Sequence, residues 1–220
     1  MRAPVKLAVF DCDGTLVDGQ GAVVVAMERA FAAHALPCPD ASQVRRAVGL
    51  SLPHAVMRLA PDLPPATLRA VVDGYKQAFR AAREAGEVTE PLYGGIAPLL
   101  AALDGAGWTL GVATGKSARG LSHCLAVHGL ERTFATLQTA DGHPSKPHPA
   151  MLEAAMAEAG ATADVTVMIG DTVYDIAMAC RIGVRAIGVG WGYHAPAELS
   201  GAGAAFVAGS VAELKEYLLA

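Results

Sequence analysis

The chain has 220 residues, with 17 Lys and Arg against 21 Asp and Glu and a formal charge of −4, enough for one sizeable domain or a medium domain carrying a smaller one. That balance supplies no basic footprint for nucleic acid. Mean hydropathy is +0.35, but much of the apolar excess is alanine, and the longest apolar run, Ala22 to Met27, ends at Glu28 and Arg29, well short of the roughly 20 residues a membrane-spanning helix requires.

Met1-Arg2-Ala3-Pro4 leads directly into Val5–Phe10 with no apolar signal region, so the expected compartment is cytoplasmic. Val5–Phe10 is a short apolar run bounded by Asp-x-Asp-Gly, the pattern of a buried parallel strand. From about Gln20 to Ala85 four helices follow without a strand: Gly21–Ala35, Ala41–Val48, Leu52–Leu59 and Pro65–Ala85, separated by Pro37-Cys38-Pro39 and Pro61-Asp62-Leu63-Pro64. Alternation then begins. Helices at Gly94–Ala106, Ser117–His128, His148–Ala159, Asp171–Ile182 and Val211–Leu219 are interleaved with strands at Trp108–Ala113, Val165–Ile169 and Arg185–Val189. The expected fold class is α/β, a doubly wound, mainly parallel, Rossmann-like sheet core with an inserted α-helical cap. Residues 1–16 and 92–220 form the expected core and 17–91 the cap, with hinges at Leu16–Gly19 and Val88–Gly95.

Polar residues collect where three of these strands end: Asp11-Cys12-Asp13-Gly14-Thr15, Thr114-Gly115-Lys116-Ser117, and Gly170-Asp171-Thr172-Val173-Tyr174-Asp175. One Asp in such a place is an ordinary helix cap or turn residue. In a doubly wound sheet, however, these ends lie together and hold the ligand. Asp171 and Asp175 are four apart at a helix start and share a face. Two like charges 4 Å apart at an effective dielectric of 20 repel by about 4 kcal/mol, so a converged cluster needs cations. Oxygen ligands without a nearby His or Cys favour a hard divalent ion, Mg²⁺ before others. Lys146, in a loop stiffened by Pro144, Pro147 and Pro149, is the second candidate cation. Lysine and metal together would turn the carboxylates into a receptor for a phosphoryl group.

Four motifs in order, Phe10-Asp11-Cys12-Asp13-Gly14-Thr15, Ala113-Thr114-Gly115-Lys116, Ser145-Lys146-Pro147 and Ile169 through Asp175, give the sequence its resemblance to the haloacid dehalogenase-like phosphohydrolases. Within them it resembles the capped group that contains phosphoglycolate phosphatases and beta-phosphoglucomutases. The resemblance spans the core; the cap matches in position and helical character only. It implies a phosphoric monoester hydrolase in which Asp11 is the nucleophile that forms an aspartyl-phosphate and Asp13 the acid and base. Thr114, Gly115 and Lys146 would bind the phosphoryl group. Asp11, the backbone carbonyl of Asp13, and Asp171 would hold Mg²⁺, and Asp175 would orient Lys146 or a metal-bound water. The partner is a small phosphate ester, phosphoglycolate-like or a sugar phosphate, and a monomer and a homodimer are both open.

Asp13 argues against carbon–halogen cleavage, and Lys76, the only cap lysine, reads as a surface residue rather than a Schiff-base amine. The loop Val48-Gly49-Leu50-Ser51-Leu52-Pro53 lacks the arginine of the mutases and Thr15 replaces their small apolar residue. Both departures favour a phosphatase; a beta-phosphoglucomutase-like phosphomutase and a non-catalytic phospho-ligand-binding protein are the alternatives. Lys116 reads as a helix-start residue, since Leu110 stands where a P-loop needs glycine. Gly188-Val189-Gly190-Trp191-Gly192 reads as a loop beside the site, and His143 and His148 as loop or helix-cap residues. The cap's arginines read mostly as solvated helix faces, any one a candidate for reading a substrate carboxylate. The four cysteines contain no Cys-x-x-Cys pair and are expected reduced and mostly packed. A cis Lys146–Pro147 bond is a further expectation.

Overall fold

A computed structural model describes residues 5–220. Six strands form one sheet in the order β3-β2-β1-β4-β5-β6, every neighbouring pair parallel. They are β1 (Leu7–Phe10), β2 (Thr109–Thr114), β3 (Thr136–Thr139), β4 (Thr166–Gly170), β5 (Arg185–Val189) and β6 (Phe206–Ala208). The fold class is the expected α/β one, a Rossmann-like parallel sheet with helices on its faces. β1 is central, paired through Phe10 with both Val112 and Ile169. The chain winds outward to β2 and β3 on one side and to β4, β5 and β6 on the other, so β1 ends at the switch point where such sheets hold their ligands.

Alternation along β1 feeds two cores. Ala8 and Phe10 join Val112 and Ile169 under α5 (Ile96–Gly105), α6 (Ala118–Val127) and α10 (Val211–Leu219). Leu7 and Val9 join Met168 under α7 (Ala150–Ala159), α8 (Val173–Cys180) and α9 (Pro196–Gly201). All four residues of β1 are fully buried, which explains its unbroken apolar sequence. Between β1 and α5 lie α1 (Gln20–Ala33), α2 (Ala41–Ala47), α3 (Leu52–Leu59) and α4 (Pro65–Glu84). They bury a third cluster of their own, Met27, Phe31, Val44, Val56, Val71 and Val72 among others.

Local chemistry sets several boundaries. Ser117 caps α6 by accepting the N–H of Gly120 at 3.1 Å, and Thr172 and Asp175 form a reciprocal capping box on α8. Gly160 ends α7 in the left-handed conformation, φ +68°, where a side chain would be strained. β5, α3 and α10 match the expected spans. β3, β6 and α9 are additions to them, and the three-residue β6 forms one edge of the sheet. The cysteine expectation needs correction. All four are free, but only Cys12 and Cys124 are packed, with sulfurs 4.0 Å apart; Cys38 and Cys180 are exposed because they fall on a loop and at a helix end.

Candidate active site

The three strand ends converge as their sequence suggests. Asp11 follows β1, fully buried, its N–H donating to the Ile169 carbonyl at 2.9 Å. Lys146, also buried, brings its ammonium to 2.9 Å from Asp11 Oδ1 and 2.6 Å from Asp175 Oδ1. The Lys146–Pro147 peptide is cis. Asp175 is held from its other side, where Oδ2 accepts from the Thr172 N–H at 3.1 Å and hydroxyl at 2.7 Å. Asp171 accepts the Thr15 hydroxyl at 2.9 Å and the Tyr193 N–H at 2.9 Å. Glycines let these chains close in: a Cβ on Gly14 or Gly192 would lie 2.1 or 2.2 Å from Asp171 atoms.

Oxygens of Asp11, Asp171 and Asp175 all lie within 4.8 Å of one another, on three fully buried residues. Lys146 is the one cation in contact with them among the described residues, so ionisation of all three leaves an excess of two negative charges. Both Asp11 oxygens lack a hydrogen-bond donor; Lys146 is near Oδ1 without donor alignment. Buried unpaired acceptors are costly, and an all-oxygen donor set with that charge deficit fits one hard divalent cation. The energetics agree in direction. Burial pushes the Asp11 carboxyl up to about 7, against the pull of Lys146. Burial, then Asp11 and Asp175, push Asp171 well above the ordinary carboxylate range. Burial would lower Lys146, but the two facing carboxylates outweigh it and hold the ammonium above the usual lysine value.

Asp13 points elsewhere. Its Oδ1 lies 2.6 Å from Lys116 Nζ, which also reaches Glu90 Oε1 at 2.6 Å. Lys116 therefore differs from its reading as a helix-start residue: Ser117 caps α6, while the Lys116 side chain is almost completely covered and bridges two carboxylates. The sequence offered only its position beside Thr114, because Glu90 returns from the far end of the helical layer. Thr114 is buried and accepts the Lys116 N–H at 3.2 Å, which leaves its hydroxyl proton free to donate. A Cβ on Gly115 would meet the carbonyl oxygens of Leu50 and Gly49 at 2.6 and 2.8 Å. Only glycine admits the α2–α3 loop there. Asp11, Asp13, Thr114, Gly115 and Lys116 line one cavity with that loop, α1 and α4.

Other expectations resolve as ordinary structure. His143 bonds Gln138 at 2.8 Å, and His148 accepts the first N–H of α7 at 3.2 Å. The Gly190–Gly192 loop does lie beside the site, with Trp191 donating to the Thr15 carbonyl at 3.2 Å. Arg46 pairs with Glu198 across the two regions, and Lys76 is exposed.

Residues 8–189 match the haloacid dehalogenase-like hydrolase family. The chain belongs to that family. It is 37% identical over 199 residues to a Dickeya dadantii protein named probable phosphatase IndB, covering 89% of this chain and 86% of that one. It is 30% identical over 220 residues to a phosphoglycolate phosphatase of Vibrio parahaemolyticus, covering 96% and 95%. Among solved structures, one described as a predicted phosphatase from Clostridium acetobutylicum superposes with a TM-score of 0.88 at 28% identity, over 99% of both chains. The expectation of a phosphoric monoester hydrolase of this type stands. No helix among the described residues is long and apolar enough to cross a membrane.

Proposed function

We propose that this hydrolase is a Mg²⁺-dependent phosphatase of a small phosphorylated metabolite, with residues 1–16 and 92–220 as catalytic core and 17–91 as a cap over the site. The observation that carries this reading is Asp11: a fully buried carboxylate with both oxygens unpartnered, beside Lys146, Asp171 and Asp175. A group kept that bare is available to attack phosphorus. Asp11 and Asp171, with the backbone carbonyl of Asp13, would hold the ion, which supplies charge neutralisation to the carboxylates and the phosphoryl oxygens when bound.

Asp11 attacks the phosphoryl group, and the bond from phosphorus to the alcohol oxygen breaks. Asp13 delivers a proton to that leaving oxygen, then takes one from the water that hydrolyses the aspartyl-phosphate. Inorganic phosphate and the free alcohol are the products, and Asp11 and Asp13 return to their starting states. Splitting one displacement in two lowers each barrier. The Thr114 hydroxyl and Gly115 N–H donate to phosphoryl oxygens, and Lys146 opposes their charge. Asp175, fixed by Thr172, keeps Lys146 directed at Asp11. Lys116 keeps Asp13 over the cavity, and the α2–α3 loop against Gly115 limits entry of bulk water.

The test is hydrolysis of an aryl phosphate by the purified protein with and without Mg²⁺. Phosphate release that needs the metal and disappears in Asp11→Asn is the expected result. Metal-independent release, or undiminished release by Asp11→Asn, would overturn the mechanism.

A further inference from the structure

The cavity over Asp11 and Asp13 has a volume of about 760 Å³ and opens to solvent along Arg80, Glu84 and Arg119. This is its size with the helical layer seated on the sheet, since the Gly49 and Leu50 carbonyls already cover Gly115 and the Ser51 N–H already donates to Ser145 at 2.9 Å. A water takes about 30 Å³ of liquid, so a phosphate ester of a two-carbon acid, with about nine non-hydrogen atoms, would leave most of the space unfilled. Cavities of roughly 300–1,000 Å³ suit ligands several times larger.

The lining is as informative as the size. Val23 and Met27 from α1, Val48 and Leu50 from the α2–α3 loop, and Tyr75 and Phe79 from α4 all contribute. The Tyr75 and Phe79 rings stack at 5.8 Å with 25° between their planes. Of the cations that line the cavity, Lys116 lies between Asp13 and Glu90, Arg83 lies 3.7 Å from Glu90 with its guanidinium over the Phe79 ring and its Nε without a hydrogen-bond partner, and Arg80, paired with Glu84, and Arg119 stand at the exposed rim. A second substrate carboxylate near Asp13 would have to compete with Asp13 and Glu90 for Lys116 and with Glu90 for Arg83. An aromatic body meets apolar walls and the edges of these two rings instead, since the rings stack on each other and Arg83 lies over Phe79; edge-to-face contact is a geometry aromatic pairs prefer.

We infer that the substrate is the phosphate monoester of an alcohol carrying an aromatic ring system, its ester over Asp11 and its ring against Tyr75 and Phe79. This rests on the phosphatase reading above and narrows it.

The experiment compares kcat/KM for 2-phenylethyl phosphate, ethyl phosphate and 2-phosphoglycolate with Mg²⁺ present. The first two release similar primary alkoxides, so their ratio isolates the ring from leaving-group reactivity. The expected ratio is at least tenfold in favour of the phenylethyl ester, with 2-phosphoglycolate no better than ethyl phosphate. Phe79→Ala should cut that ratio at least fivefold. Because both rates come from one preparation, a smaller folded fraction lowers both and leaves the ratio alone. A ratio below twofold, 2-phosphoglycolate as the best of the three, or an unchanged ratio in Phe79→Ala overturns the inference while leaving the phosphatase reading intact. Failure to hydrolyse any of the three, or the aryl phosphate, overturns both.

Discussion

The sheet region and the helical layer are stabilised in different ways and meet through a third kind of contact. The sheet packs an unbroken apolar central strand and its neighbours between two layers of helices and leaves its buried carboxylates at one end. The helical layer holds itself together through one small cluster of its own. Between them run polar contacts: the Ser51 N–H with Ser145, Arg46 with Glu198, the Tyr174 hydroxyl with the Arg46 carbonyl, and Glu90 with Lys116. Apolar burial drives near-permanent packing, whereas polar pairs exchange readily with water. Such polar contacts can be exchanged for contacts with water while the apolar clusters of both regions stay buried.

Four experiments bear on this contrast. The largest effect is expected inside the sheet region. Asp11→Asn should lower phosphatase kcat by more than about 10³-fold, the scale seen when a nucleophile is removed, with the thermal midpoint little reduced because a crowded cluster of three buried carboxylates loses one charge while Asp175 still pairs with Lys146. Next comes the contact that joins the regions. Lys116→Met leaves Asp13 without a cation and Glu90 with only Arg83 at 3.7 Å, a change that costs about 3 kcal/mol or more when buried ion pairs are broken on one side. For a chain of this size that is roughly 6–12 °C in Tm, measurable by calorimetry; an unchanged Tm would show the pair to be solvated.

The third effect follows from Asp11 and Asp171. Their folded-state pKa values lie above the unfolded ones, so the metal-free folded protein holds protons that the unfolded chain has lost. Its stability should therefore fall as pH rises from about 4 through about 7. Mg²⁺ bound by these carboxylates would replace those protons, so the Tm gain on adding it should be large at pH 8 and small at pH 5. Equal gains at both would sink the idea that these carboxylates hold the ion. The smallest effect is Ser145→Ala, which removes one neutral hydrogen bond between the regions, worth about 1 kcal/mol. KM for an ester substrate should rise up to about fivefold while Tm moves little; a Tm loss as large as that of Lys116→Met would mean the two regions do not separate.

The sheet was legible in the sequence wherever burial is complete. β1 is an unbroken apolar run, and β5, buried after its exposed Arg185, lies where expected. β3 escaped because three of the four residues in Thr136-Leu137-Gln138-Thr139 are polar and the strand is flanked on one side only, so Leu137 is left exposed. β6 has three residues, and α9 is a six-residue turn of helix begun by Pro196; neither is long enough to show a period. At the site, Asp11, Asp13, Thr114, Lys146, Asp171 and Asp175 were identifiable because each sits within a few residues of a strand end or a proline-stiffened loop. Lys116 was visible as a residue but not as a bridge. Its second partner, Glu90, is 26 positions away, and no local spacing connects a hinge to the strand it closes upon.

Glu90 has a consequence for modularity. Because it belongs in sequence to the segment after α4 but in space to the ammonium that holds Asp13, the helical layer cannot be exchanged as a neutral block. A chimera that takes its helices from a relative and rejoins this chain after Glu90 would import a foreign residue at that position and leave Lys116 with one carboxylate instead of two. Rejoining just before Glu90 keeps the native pair, so the practical graft boundary lies inside the segment that chain order alone assigns to the cap.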